Sequence, residues 1–199
     1  DTVQPALTAR LTSLAHERSY PLNAFNLARV QANLAAQHYQ IALDLALTAL
    51  REENEDTPHL ASTLNALRCL ALYGLKDFSR AELMLNSFLG HANLRASDAV
   101  FLAKQLLLAG ATASARSVLD RASVLDPLNQ AALGELVRLD ASLGNRDKLA
   151  ENLPKLLRLR KPSRAVLEET LLRLDRPADA PLRDQIQTAL TRASATPAP

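Results

Sequence analysis

The feature that most constrains the fold of this chain is a helix–turn–helix pattern that returns at intervals of about 34 residues. Gly110 and Gly144 are one such period apart, and each separates two amphipathic segments. Ala81, Ala115 and Leu149 repeat with the same spacing. A fixed period of this size, filled by pairs of helices, is typical of a solenoid in which each pair packs on the next. We therefore predict an all-α chain, folded as a right-handed α-solenoid of antiparallel helix pairs.

The composition favours a helical fold and argues against several classes of function. The chain has 42 Leu and 35 Ala but only 7 Val and 2 Ile, so helix formers are abundant and strand formers scarce. A net charge of +2 is too small to indicate nucleic acid as a partner. No apolar run approaches the roughly 18 residues of a membrane-spanning helix. The single cysteine, Cys69, excludes an internal disulfide and a cysteine-rich metal site, and its Leu-rich surroundings predict a buried core residue.

Proline, glycine and polar connectors divide the chain into helical segments. As domains, residues 1–21 are predicted to hold the second helix of a truncated repeat, 22–162 about four helix pairs, 163–194 a capping pair and 195–199 a disordered tail. The chain is thus expected to begin inside a longer array, with an apolar face at its start that could support a homodimer. The predicted segments are 5–18, 22–36, 39–52, 58–74, 78–89, 96–109, 113–125, 129–143, 146–160, 163–174 and 179–193.

The stretch 96–129 carries small residues, a glycine and a proline at fixed spacing: Ala103, Gly110, Ala115, Ala122 and Pro127. In this pattern it resembles a tetratricopeptide repeat (TPR). The small residues of that family let antiparallel helices approach closely, its glycine supplies a left-handed cap, and its proline ends the second helix. Looser matches cover 130–162, which keeps the glycine as Gly144, 62–95, where Gly74 falls early as a glycine stop, and 23–57, where Gln37 replaces the glycine.

The resemblance implies that the first helix of each pair lines a groove that receives a peptide or a segment of another protein. Lys104 and Arg138 occupy equivalent positions of consecutive repeats, so they are predicted to face the same groove and to favour an acidic or carboxylate-bearing ligand. The groove positions carried over from the family are Tyr73, Ser97, Val100, Lys104, Leu107, Leu108, Arg138 and Ser142. Several apolar members could instead pack against neighbouring helices.

A surplus of positive charge lies between residues 146 and 164. It could consist of cations near the negative carboxyl end of a helix, or it could dock an acidic partner or a phosphate-rich surface. This predicted basic patch contains Arg146, Lys148, Lys155, Arg158, Arg160, Lys161 and Arg164.

Motifs for catalysis are missing from the sequence: the histidines are scattered, the glycines are isolated, and no nucleophile elbow occurs. We expect no cofactor, no metal, no nucleic-acid partner and no membrane insertion by this segment. The predicted function is a non-catalytic protein–protein interaction module. The alternative is an accessory TPR domain of a larger bacterial enzyme or envelope machine for polysaccharide or pilus assembly. The excess of Arg over Lys suggests a GC-rich bacterial genome, and cytoplasm and periplasm both stay open.

Overall fold

The computed structural model describes residues 22–51 and 58–195, with side chains described for 25–51 and 60–192. Within these ranges the chain forms ten α-helices and a short 3-10 helix, Pro177–Asp179, and no strand, which confirms the all-α prediction. The predicted helix over 5–18 and most of the predicted tail lie outside the described residues. The helices are α1 Leu22–Ala35, α2 Tyr39–Arg51, α3 Pro58–Gly74, α4 Phe78–Leu89, α5 Ala96–Leu108, α6 Thr112–Leu125, α7 Gln130–Leu143, α8 Arg146–Leu157, α9 Arg164–Leu171 and α10 Ala180–Ala195.

The chain forms two compact units, one ending at Asp98 and the other beginning at Ala99. In the first unit α1 packs on α2 and α3, and α3 also packs on α2 and α4, around a core that includes Val30 and Leu64. In the second unit α7 packs on α6, α8 and α9, and α10 packs on α8 and α9. Leu153 belongs to the core of this unit. Within each unit these helices thus pack mainly on their neighbours in sequence, while the right-handed solenoid stays a prediction.

Four helix-to-helix links among the described residues share one conformation. Gln37, Lys76, Gly110 and Gly144 all have φ in the left-handed region, between 60° and 77°. In each link the backbone N–H of this residue donates to the carbonyl three residues earlier, and the next N–H donates to the carbonyl five residues before it. This pair of bonds satisfies carbonyls that the end of a helix leaves open. The same link therefore joins the helices of the hairpins α1–α2, α3–α4, α5–α6 and α7–α8.

Helix α3 ends at Gly74 as predicted, but Gly74 is not the left-handed residue of the link that follows. The sequence suggested a glycine stop that falls early in its repeat, but the left-handed residue is Lys76, one repeat period before Gly110. Gly74 instead lies against the aromatic ring of Tyr39, where an added Cβ would come within 2.6 Å of the ring carbon Cγ. The glycine is thus required for close packing between α2 and α3. The left-handed conformation at the link is adopted by Lys76.

Residues at the repeated positions of the second helices are buried. Ala81, Ala115 and Leu149 are fully buried, and so are the residues seven positions later in the same helices. Small and apolar side chains at these positions let the helices of each unit pack closely. The burial predicted for Ala103, Ala115 and Ala122 is confirmed; Phe88 and Leu156 take the later position in their own hairpins.

Helices α8 and α9 are shorter than predicted, whereas α10 is not. Helix α8 ends at Leu157 rather than near 160, and α9 ends at Leu171 rather than near 174. After α8 the chain turns toward Pro162, which cannot continue a helix. After α9, hydrogen bonds to carbonyls three residues back tighten the chain into turns that bury Leu174. None of the described helices is both long and apolar enough to cross a membrane.

Candidate functional site

A chain of alternating charges crosses α5, α7 and α9 in the second unit. Lys104 Nζ lies 3.4 Å from Glu135 Oε1, and the same oxygen accepts a 3.1 Å hydrogen bond from Arg138 Nη1. Arg138 Nε in turn lies 2.8 Å from Glu169 Oε2. The residues come from the first helices of consecutive pairs. We call Lys104, Glu135, Arg138 and Glu169 the charge ladder.

The ladder follows the repeat. Glu135 follows Lys104 at the same separation along the chain as Glu169 follows Arg138, so the two ion pairs are equivalent contacts in consecutive repeats. Lys104 and Arg138, which are predicted to face the same groove, both contact Glu135. Neither carboxylate was predicted from the sequence. The signal that could have found them is that the two glutamates are themselves one repeat period apart, as the two cations are.

Beside the ladder lies a shallow depression of about 270 Å³ within the second unit. Lys104, Glu135 and Arg138 line it, and small residues of α7, Ala131 and Gly134, form part of its wall. A Cβ on Gly134 would come within 3.3 Å of Val166 Cγ2, so the lack of a side chain there lets α9 approach α7. The depression thus offers charged groups of both signs beside the exposed Ala131 of α7.

The remaining groove positions differ in their accessibility. Ser97, Leu108 and Ser142 are exposed, with Leu108 at 82%, whereas Leu107 is half-buried. Tyr73 is also half-buried and packs edge-on against Phe78, with ring centroids 6.0 Å apart. Val100 is only 6% exposed, so its predicted groove position is corrected: the side chain belongs to the core.

Most cations of the predicted basic patch have carboxylate partners. Arg146 Nη2 donates to Asp179 Oδ2 at 2.8 Å and to the carbonyl of Arg173 at 3.1 Å. Lys148 and Lys155 both bind Glu151, and their hydrogen bonds lower the pKa of that carboxyl. Four of the seven cations are therefore paired within the unit, with three carboxylates between them; the fourth is Arg164, which pairs with Glu168 at 2.7 Å.

The other three cations of the patch, Arg158, Arg160 and Lys161, follow α8 and are exposed. No ion pair involves them within the part of the chain that the structure describes. Arg160 also lines a cleft of about 580 Å³ that reaches Asp184 and Arg192 of α10. The free positive charge of the patch is thus confined to one short connector, and the surplus counted along the sequence overstates it.

Two buried polar networks in the described part of the chain were not foreseen. Asp140, fully buried in α7, accepts hydrogen bonds from Arg116 of α6 and from Asn152 of α8, the latter at 3.0 Å. In the first unit Asp98 accepts two bonds from Arg95, at 2.9 and 3.0 Å, and one from the Thr63 hydroxyl. Both carboxylates have hydrogen-bond partners from other segments of the chain. We therefore interpret them as contacts that stabilise the fold.

Cys69 is fully buried in α3, as predicted. Burial raises the pKa of its thiol to about 12, against a smaller opposing effect of Arg68, so almost no reactive thiolate forms at neutral pH. Among the described residues, no three His, Cys, Asp or Glu side chains are grouped in a way that could hold a metal ion.

Comparisons of the chain with protein-family models, with curated proteins and with solved structures found no match. The TPR resemblance therefore stays a prediction.

Proposed function

We propose that this protein is a non-catalytic protein–protein interaction module of the TPR-like solenoid type, and that its charge ladder binds an acidic segment of a partner. The observation that carries the proposal is the repetition of one ion pair, Lys104–Glu135 and Arg138–Glu169, along a surface formed by first helices. Repeated first-helix surfaces are a common binding face of helical-repeat proteins.

The cations of the charge ladder can exchange the glutamates they now contact for carboxylates of a ligand. Lys104 is about half exposed and Arg138 a third exposed, so a ligand carboxylate can reach both cations. Ion pairs at such exposure contribute only about 0.2–1 kcal/mol each, so replacing one with another costs little. The exposed Ala131, which has a small side chain, lies beside the two cations on the wall of the depression. The expected ligand is a peptide with carboxylates spaced to meet both cations.

This proposal makes Glu135 a competitor of the ligand. Its carboxylate is only 13% exposed and contacts both cations, so a ligand carboxylate has to displace it. Glu135→Gln removes the competing charge while keeping the shape of the side chain. We expect this variant to bind an acidic peptide roughly two- to fivefold more tightly, and Arg138→Gln to bind it more weakly by a similar factor.

The experiment is a selection of peptides from a random phage-displayed library on the whole chain, followed by fluorescence anisotropy with the enriched peptides. Arg164→Gln is the matched control, because Arg164 forms an exposed ion pair on the same unit but does not line the depression. Acidic peptides whose affinity falls in Arg138→Gln, rises in Glu135→Gln and is unchanged in Arg164→Gln would support the proposal. If no peptide is enriched, or if the ladder variants bind as the wild type does, the proposal is wrong.

As an accessory domain of a larger bacterial enzyme or envelope machine, the alternative raised by the sequence, the protein would use the same surface to hold another component of that machine.

A further inference from the structure

Arg68 of α3 is a half-buried cation without a carboxylate partner among the described residues. Its Nη1 donates to the side-chain oxygen of Asn65 at 2.9 Å, and its Nε is buried with no hydrogen-bond partner. Burial lowers the pKa of the guanidinium. By contrast, the half-buried Arg138 and Arg146 each lie within 2.8 Å of a carboxylate oxygen. A buried charge is normally paired, so Arg68 has an unmet requirement for an anion.

Arg68 lines a cleft of about 330 Å³ in the first unit. The walls are formed by one face of α2 and one face of α4, and α3 contributes Arg68 and Leu72. The apolar lining residues are Leu43, Leu47, Leu72, Leu83 and Met84. Leu83 is 71% exposed, so an apolar side chain of the cleft is open to a ligand.

The charge of the cleft has one sign. Arg80 at its rim is a second cation, and its partner Asp77 is not among the lining residues. Within the described ranges, no carboxylate lines the cleft. An occupant must therefore be apolar over most of its contact surface and carry a negative charge where it meets Arg68.

The spacing of the lining residues fits a helix. Leu43 and Leu47 are four residues apart on α2, and Leu83 and Met84 lie three and four residues after Arg80 on α4, so each wall is one continuous helix face. An amphipathic helix binds such a groove with apolar side chains three and four residues apart. We propose that this cleft is a second docking surface, separate from the charge ladder, for an amphipathic helix of a partner protein with an acidic side chain directed at Arg68.

The test uses a phage-displayed library of helical 16-residue peptides, selected on the whole chain and then measured by fluorescence anisotropy. Enriched peptides should carry one acidic residue among apolar residues at helical spacing. Their affinity should fall about tenfold or more in Arg68→Gln, because the buried charge pair is lost. It should also fall in Leu83→Ser, whose exposed side chain can change without unfolding the protein.

Matched controls are available in the second unit. Arg121 is also half-buried with an unpartnered Nε, and Leu128 is 74% exposed, yet neither lines this cleft. Arg121→Gln and Leu128→Ser should therefore bind like the wild type, and so should Arg138→Gln of the charge ladder. The proposal is overturned if the selected peptides lack an acidic residue, or if Arg68→Gln binds them as tightly as Arg121→Gln does. It is also overturned if the chain dimerises in sedimentation and Leu83→Ser abolishes the dimer, since the occupant is then a second copy.

Discussion

Replacing Gly74 with alanine introduces a methyl group where the ring of Tyr39 now lies. The added Cβ would be 2.6 Å from Cγ of Tyr39 and closer still to two other ring carbons. Carbon atoms in good contact are about 3.5–4.0 Å apart, so the ring has to move by about 1 Å. Because Cγ is attached directly to the Tyr39 Cβ, this displacement requires a shift of the whole side chain or of α2.

The free energy of unfolding should fall by about 1–2 kcal/mol. Overpacking of this kind costs about 1–3 kcal/mol. Against this, alanine gains up to about 1 kcal/mol over glycine within a helix, and less at a last residue such as Gly74. In a Tyr39→Ala background the clash is gone and only the helix term is left. There, Gly74→Ala should stabilise the protein by up to about 1 kcal/mol, so the sign of the effect reverses.

Urea unfolding followed by circular dichroism measures all four members of this double-mutant cycle. Gly90→Ala is the matched control, because Gly90 ends α4 with φ of −84° and an added Cβ would be no closer than 3.5 Å to any other atom. We expect that variant to be neutral or slightly stabilised. If Gly74→Ala has the same effect with and without the Tyr39 ring, the contact between α2 and α3 is not the reason for this glycine.

Four further outcomes are expected. Ala115→Leu should lower stability by about 1–3 kcal/mol while the exposed Ala113→Leu leaves it nearly unchanged in the same urea titration. Asp140→Ala should cost about 3 kcal/mol or more, because its buried arginine and asparagine partners lose their acceptor. Cys69 should resist Ellman's reagent at pH 8 and react once urea unfolds the chain. The pKa of Glu151 is lowered in the folded protein, so the ionised carboxylate stabilises the fold above its ordinary pKa near 4.5, and this stabilisation is lost as the pH falls. In Glu151→Gln the free energy of unfolding should therefore fall less steeply as the pH is lowered.

Sequence periodicity was sufficient to predict the helices and two of the four links. Gly110 and Gly144 are glycines at a left-handed position, so composition and conformation point the same way. Gln37 and Lys76 hold the same conformation without that chemical signal. The 34-residue spacing to Gly110 indicates it for Lys76, whereas Gln37 lies 39 residues before Lys76. The role of Gly74 depends on which side chain lies opposite it, and that is decided by packing between helices.

The partners of charged side chains were harder to predict from the sequence than the helices. The spacing of Lys104 and Arg138 predicts one groove for both cations, but it does not reveal that both contact Glu135. Counting cations from residue 146 to 164 suggested a basic patch, although Arg146 reaches a carboxylate 33 residues away. A count of charges along one segment takes no account of carboxylates that other helices supply. Which carboxylates come within reach depends on how the helices pack.

The contact between Arg116, Asp140 and Asn152 has a consequence for the order of the hairpins. Chains built from similar hairpins can mispair by one repeat, because the same apolar contacts recur at each junction. The residues one period before Asp140 and Asn152 are Leu106 and Val118, so this polar contact has no counterpart in the preceding hairpin. A slipped pairing would place the Asp140 carboxylate against hydrocarbon, with no donor within reach. The buried Asp140 carboxylate thus favours the native pairing of α7 with α6 and α8 over a pairing shifted by one repeat. Exchanging hairpins between positions would remove this contact.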